Sequence, residues 1–218
     1  MLARALVFDF NGTLSDDEDV MEAVTAEVLG RHGPAPTHEQ YIDRLAGLSD
    51  EAMARTWLGD RPDIAAIVAE RIEGYRSRVD DGRTISPEMR AVVSAAAARA
   101  PIAIVSGAAR AEIDPVIAAA GIAPLFTAVV TSDDVTNGKP HPEGYLVALQ
   151  LLAAVVPGLR AAEVVVIEDT EAGVAAARAA GMRCLGLLGT MTAERLAAAD
   201  ELVDRIDLAL VDRLLPPA

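Results

Sequence analysis

Ala5-Leu6-Val7-Phe8-Asp9-Phe10-Asn11-Gly12-Thr13-Leu14 is the stretch that decides the fold. Four apolar residues in a row, stopped by an acid and a Gly-containing turn, read as a short strand buried on both faces. The same pattern recurs at residues 102–105, 128–130, 164–167 and 184–188. Helical patterns lie between these runs. Continuous apolar strands alternating with helices predict a parallel sheet covered on both sides, an α/β fold. Ligands of such sheets bind beyond the carboxyl ends of the strands, so the residues just after each run carry the functional reading.

Composition sets the outer bounds. The 218 residues suit one domain, or one domain with an insertion. Lys and Arg number 19 against 33 Asp and Glu, a formal net charge of −14 that argues against nucleic acid and anionic membrane as partners. Hydrophobic residues make up 52% of the chain, which excludes disorder, while aromatics are 3%, so Ala, Val, Leu and Ile must build the core. Cys184 is the only cysteine, which rules out an intrachain disulfide and a Cys-rich zinc site. No apolar run reaches the ~18 residues of a membrane span, and Asp9 follows Met1 too soon for a signal peptide. A soluble cytoplasmic protein is expected, as a monomer or homodimer. Lys139 is the only lysine.

Between the first and second runs the character changes. Residues 15–84 offer no strand, but helical patterns cover 20–31, 39–45, 51–58 and 64–79. Thr37-His38-Glu39-Gln40 matches a capping box. Arg61-Pro62-Asp63 marks a helix boundary with Pro at an early helical position. The expected organisation is a core of residues 1–14 and 85–218 with a helical cap, 15–84, inserted after the first strand. A helix over 87–100, opened by Ser86-Pro87-Glu88, returns the chain to the core.

Four groups then fall at one edge of the expected sheet. Asp9 follows the first run, Ser106-Gly107 the second, Gly138-Lys139-Pro140 the third, and Glu168-Asp169 the fourth. Carboxylates are the hard oxygen ligands that Mg²⁺ prefers. The hydroxyl, the free amides and the lysine donate to an anion. The set suits a phosphate with Mg²⁺, and Asp9 is positioned to attack phosphorus as a carboxylate nucleophile.

These residues resemble the haloacid dehalogenase-like (HAD) hydrolase superfamily. Within it they resemble the branch with a helical cap after the first motif, which includes β-phosphoglucomutases and phosphoglycolate phosphatases. Asp9 to Leu14 is similar to the first motif, 102–106 to the second, Gly138-Lys139-Pro140-His141-Pro142 to the third, and 164–169 with Thr170-Glu171-Ala172-Gly173-Val174 to the fourth. The resemblance implies a Rossmann-like core and an aspartyl-phosphate formed at Asp9. It implies Mg²⁺ held by Asp9, Asp169 and the backbone carbonyl of Asn11, with Glu168 assisting. It also implies that Ser106, the Gly107 amide and Lys139 bind the transferring phosphoryl group. The substrate class it implies is a small phosphorylated metabolite.

One position departs from the pattern. Asn11 stands where phosphatases of this family have an Asp that protonates the leaving oxygen and later activates water. Losing such a group typically costs about 10²- to 10⁴-fold in rate. Three readings stay open: a slow phosphatase, another acid or base, or substrates with good leaving groups such as acyl phosphates. Asp16, Asp17 and Glu18 are candidates for the second, against the plainer view of residues 16–19 as a solvated acidic helix start. Phosphatase with altered acid–base chemistry is preferred because the rest of the site is intact. A weakened relative that binds phosphate or a partner protein is the alternative. A mutase ranks lower, because Gly47-Leu48-Ser49-Asp50 carries an acid where β-phosphoglucomutases carry an Arg. The sole lysine lies in the core motif, which argues against Schiff-base phosphonatase chemistry. Arg44, Arg55 and Arg76 are candidates for a second anionic group, or else surface arginines. Tyr41, Trp57 and Cys184 read as packing residues.

Overall fold

The computed structural model describes residues 2–216. Six strands form one parallel sheet: β1 (Ala5–Phe8), β2 (Ile102–Val105), β3 (Ala128–Val130), β4 (Val164–Glu168), β5 (Arg183–Leu187) and β6 (Glu201–Val203), in the order β3-β2-β1-β4-β5-β6. All four residues of β1 and of β2, and all five of β4, are buried. That is the physical meaning of their unbroken apolar runs: both faces are covered, so no polar alternation is needed. β6 has only three residues, none of them buried, at the sheet edge, and its Glu-Leu-Val gave no pattern to detect.

The strand order fixes where a ligand can go. From β1 the chain builds outward on one side through β2 and β3, and on the other through β4, β5 and β6. β1 therefore lies between β2 and β4, with Phe8 level with Ile104 on one neighbour and Ile167 on the other. Helices leaving on opposite sides open a crevice at the carboxyl ends of these three strands.

Five helices come between β1 and β2, the first four being α1 (Glu18–His32), α2 (His38–Arg44), α3 (Asp50–Leu58) and α4 (Ile64–Val79). The capping box of α2 forms as its sequence predicts, with the Gln40 amide donating to Thr37 Oγ1 (3.3 Å) and the Thr37 amide to Gln40 Oε1 (3.0 Å). Ser49 caps α3. Pro62 stays in the turn before α4 rather than entering it, because Asp63 takes the cap position. Trp57 Nε1 donates to the Pro34 carbonyl (2.6 Å), and the Arg44 guanidinium lies over the indole at 5.0 Å. The core resumes with α5 (Pro87–Ala97), capped by Ser86 with Pro87 in its first turn. It continues through α6 (Arg110–Ala119), α7 (Glu143–Val155), α8 (Glu171–Ala179) and α9 (Leu208–Leu214). Cys184 is fully buried in β5. No helix of the described residues is long and apolar enough to cross a membrane.

The helical segment is held against the core at several places. The loop before α3 lies on the core loops: a Cβ on Gly47 would sit 2.7 Å from Thr170 Oγ1, and one on Gly107 would sit 3.3 Å from the Leu48 carbonyl oxygen. Gly47 also has φ +81°, so no other residue fits there without strain. Two sets of ion pairs cross the same divide. Arg71 of α4 reaches Glu112 of α6 (2.7 Å) and Asp50 of α3 (2.9 Å), all three buried. Arg195 of the core reaches the Ile42 carbonyl (3.1 Å) and the Asp43 carboxylate (2.9 Å), both in the helical segment.

Candidate active site

Asp9 leaves β1 with its amide still bonded to the Ile167 carbonyl (3.0 Å), so the neighbouring ladder fixes its position. Its carboxylate is buried against Lys139, whose Nζ donates to Asp9 Oδ1 (2.5 Å), Glu168 Oε1 (2.5 Å) and the Val105 carbonyl (3.1 Å). The ends of β1, β2 and β4 are thus drawn together by one ammonium, and all three of its donors are used. Burial alone would lower its pKa, but the carboxylates of Asp9 and Glu168 outweigh that and hold Lys139 above its ordinary value.

Glu168 is the most completely satisfied carboxylate of the group. Oε1 accepts from Lys139 and from the Tyr145 hydroxyl of α7 (2.9 Å). Oε2 accepts from the amides of Asp169 (3.1 Å) and Thr170 (3.2 Å) and from Thr170 Oγ1 (3.0 Å). It lies so tightly under the first turn of α8 that a Cβ on Gly173 would meet Oε1 at 1.8 Å. Its neighbour Asp169 is different. Oδ1 accepts from Thr13 Oγ1 (3.0 Å), while Oδ2 is buried with no hydrogen-bond partner. The turn after β1 passes directly beneath that oxygen: a Cβ on Gly12 would lie 2.2 Å from it, and Gly12 has φ +68°.

Asp9, Glu168 and Asp169 each offer an oxygen within 4.8 Å of the others. Burial, and then the neighbouring charges, raise the pKa of Asp9 well above the usual range even against the pull of Lys139. Burial and then Glu168 push Asp169 up to about 8. An unpartnered buried carboxylate oxygen in a crowd of like charges is what a hard divalent cation relieves. The residues present therefore fit Mg²⁺. Glu168, already carrying five hydrogen bonds, serves mainly to hold Lys139 and the amides around it.

Ser106 and Gly107 follow β2 and line the same cavity as Asp9, Asn11 and Lys139. Ser106 Oγ accepts from the Ala108 amide (3.1 Å), which leaves its own hydrogen free to donate. The cavity is closed from the other side by Glu18, Met21, Tyr41, Leu48, Asp50 and Met53. Arg44, Arg55 and Arg76 are not in it. Arg44 covers Trp57, Arg55 pairs with Glu51 (2.8 Å) and Asp60, and Arg76 pairs with Glu73 (3.3 Å).

Asn11 lines the cavity, but its side-chain amide is tied to the start of the helical segment. Its Nδ2 donates to Asp17 Oδ2 (3.0 Å) and to the Tyr75 hydroxyl (3.2 Å). Asp17 precedes α1 but does not cap it; its carboxylate accepts from Asn11, Tyr75 and the Gly12 amide (3.2 Å). The solvated acidic helix start is therefore only half right. Asp16 and Asp19 are exposed, Asp17 is buried, and Glu18 is half-buried at the cavity wall. Burial raises the Asp17 pKa despite those hydrogen bonds.

Sequence reasoning brought Asp9, Asn11, Ser106, Gly107, Lys139, Glu168 and Asp169 to one crevice, and the structure gathers them there. It missed Tyr145, Tyr75 and Tyr41, whose hydroxyls hold Glu168, Asp17 and Glu18. Each sits in a helix as a bulky core residue, and only the fold reveals the polar tip as a positioning group.

Residues 6–187 match the family described as haloacid dehalogenase-like hydrolase. The chain belongs to that family. Among curated members it is 29% identical over 211 residues to validoxylamine A 7'-phosphate phosphatase of Streptomyces hygroscopicus subsp. limoneus, covering 92% of each chain. It is 32% identical over 180 residues to fructose-1-phosphate phosphatase YqaB of Escherichia coli, covering 81% of this chain and 92% of that one. The fold of this HAD hydrolase superposes on CbbY of Rhodobacter sphaeroides, solved with phosphate, at a TM-score of 0.81 and 24% identity, over 97% of this chain and 100% of that one.

Proposed function

We propose that this HAD hydrolase is a Mg²⁺-dependent phosphatase of a small phosphorylated metabolite, acting through an aspartyl-phosphate at Asp9, with residues 15–84 as the cap over the site. The observation that carries the reading is the arrangement at the end of β1. There Asp9 is salt-bridged to Lys139 with the unpartnered Asp169 Oδ2 close by. Asp9, Asp169 and the Asn11 carbonyl would hold the ion. Bound there, it supplies the positive charge that lets a phosphate dianion approach a carboxylate.

The chain's own residues do the rest. The Ser106 hydroxyl and the Gly107 amide bind phosphoryl oxygens and orient phosphorus toward Asp9. Lys139 stays charged throughout, balancing Asp9 before attack and the spreading phosphoryl charge during it. An Asp9 oxygen bonds to phosphorus as the ester oxygen leaves. Water then attacks the same phosphorus, returning the Asp9 carboxylate and releasing phosphate. Packed over the crevice, the cap keeps bulk water from the first step. The relatives' names, both phosphatases of phosphorylated compounds, support this reading.

Asn11 favours a second reading, a relative that binds phosphate with little turnover. Assay of the purified protein on phosphate monoesters and acyl phosphates, with Mg²⁺ and with EDTA, separates the two. Turnover that EDTA abolishes is expected; phosphate binding without turnover would replace the first reading by the second. Asn11→Asp would set a carboxyl against Asp17, now 3.0 Å from Asn11 Nδ2, and two such acids share a proton. Turnover of alkyl phosphates is expected to rise about tenfold or more. A variant that gains nothing would break this account of position 11.

A further inference from the structure

If the site is a phosphatase, an alkyl phosphate must leave as an alkoxide unless something protonates it, and Asn11 has no proton to give. The groups around the cavity narrow the choice. Asp16 is exposed and outside the cavity wall. Asp17 also lies outside that wall, with its two oxygens taken by Asn11, Tyr75 and the Gly12 amide. Asp50 reaches the cavity but is engaged by Arg71 at 2.9 Å. Lys139 spends all three donors on protein oxygens. Burial, and then the Glu18 charge, push the Tyr41 hydroxyl far above the neutral range.

We infer that Glu18, the first residue of α1, is the proton donor to the leaving oxygen and the base that activates water in the second step. It lines the cavity with Asp9, Ser106 and Lys139, and the Tyr41 hydroxyl holds its Oε1 at 2.9 Å. Among the described residues Tyr41 is its one hydrogen-bond donor, so its other oxygen is available to substrate. Burial raises the Glu18 pKa to about 7 despite the Tyr41 hydrogen bond, with further upward pushes from Asp17, Asp9 and Glu22. Asp169 faces it as well. A carboxyl so placed exists in both forms near neutrality, as an acid–base group must.

The proton balance closes. In the first step Asp9 bonds to phosphorus, the phosphorus–ester bond breaks, and the Glu18 carboxyl proton passes to the departing oxygen, giving an alcohol and the Glu18 carboxylate. In the second, that carboxylate takes a proton from water as the oxygen attacks phosphorus. The bond to Asp9 breaks, phosphate leaves, and Glu18 is protonated again. Because Glu18 belongs to the helical segment and Asp9 to the sheet, cap and core each bring one half of this chemistry.

The test is Glu18→Gln, assayed with Mg²⁺ on acetyl phosphate and on the sugar phosphate that wild type turns over best. Acetyl phosphate has a leaving group that needs little protonation, and it doubles as a control for folding. Glu18→Gln is expected to lower kcat/KM for the sugar phosphate by about 100-fold or more, and for acetyl phosphate by less than about tenfold. The wild-type decline in sugar-phosphate kcat/KM above neutral pH should vanish in the variant. Equal losses on both substrates, or a retained alkaline decline, would overturn the inference. So would a wild type active on acetyl phosphate alone, which has no working acid. A wild type with no turnover on any substrate would instead refute the phosphatase reading itself.

Discussion

Two of the arginines that join the helical segment to the rest of the chain live in different surroundings. Arg71 is buried between Asp50 and Glu112, with side-chain exposures of 4%, 4% and 0%. Arg195 joins Asp43 across the surface, with exposures of 27% and 61%. The same chemical pair thus does two jobs. Water cannot replace the first partner set without flooding the interface, so that contact holds the two parts together. Water replaces the second at little cost, so that contact adds little to holding them. Removing one member of a buried set leaves an uncompensated charge, whereas an exposed pair contributes little.

This contrast can be broken at its strong end first. Arg71→Met leaves Asp50 and Glu112 facing each other in a dry interface. A loss of about 3–5 kcal/mol in unfolding free energy is expected by urea denaturation. A loss under about 1 kcal/mol would place this cluster with the surface pairs.

A pH series sharpens the comparison next. Burial and then Asp50 push Glu112 up to about 8, against the pull of Arg71. An acid whose folded pKa is raised binds more protons folded than unfolded. Its stabilisation is therefore complete below the ordinary value of about 4.5 and is lost as pH rises through about 8. Asp169, also raised to about 8, adds the same slope. In EDTA the denaturation midpoint should fall between about pH 5.5 and 8.5. Mg²⁺ should raise it more at the alkaline end, where Asp169 has lost its proton. A midpoint that climbs with pH in EDTA would contradict the buried-acid description.

The smallest effect belongs to the exposed pair. Arg195→Ala should shift stability by less than about 1 kcal/mol, and added salt should shrink even that. A larger loss in calorimetry would mean that Arg195 is structural after all.

Much of the core side of the crevice was legible in the sequence because several of its candidate site residues end unbroken apolar runs. Asp9, Ser106 and Glu168 announce themselves by stopping a strand, and Gly12 and Gly173 mark the two closest approaches to carboxylates. On the other side, the helices of residues 15–84 were legible but their contacts across the crevice were not. Arg71 and Glu112 are 41 residues apart, and nothing local in either helix says that they meet. Glu18 could be named only as one of three neighbouring acids, with Asp16 and Asp17, and only the inward turn of the chain at Asp17 places it at the cavity wall. The edge strand β6 was missed for a related reason: three half-covered residues need no periodic pattern.

Trp57 gives the molecule a built-in reporter. It is the only tryptophan in the chain, and it sits in α3 with its ring under Arg44 and its indole bonded to Pro34. Its emission therefore speaks for the helical segment alone, while circular dichroism follows all the helices together. Should the two signals change at different denaturant concentrations, the segment loosens before the sheet melts; should they coincide, the two parts form one cooperative unit.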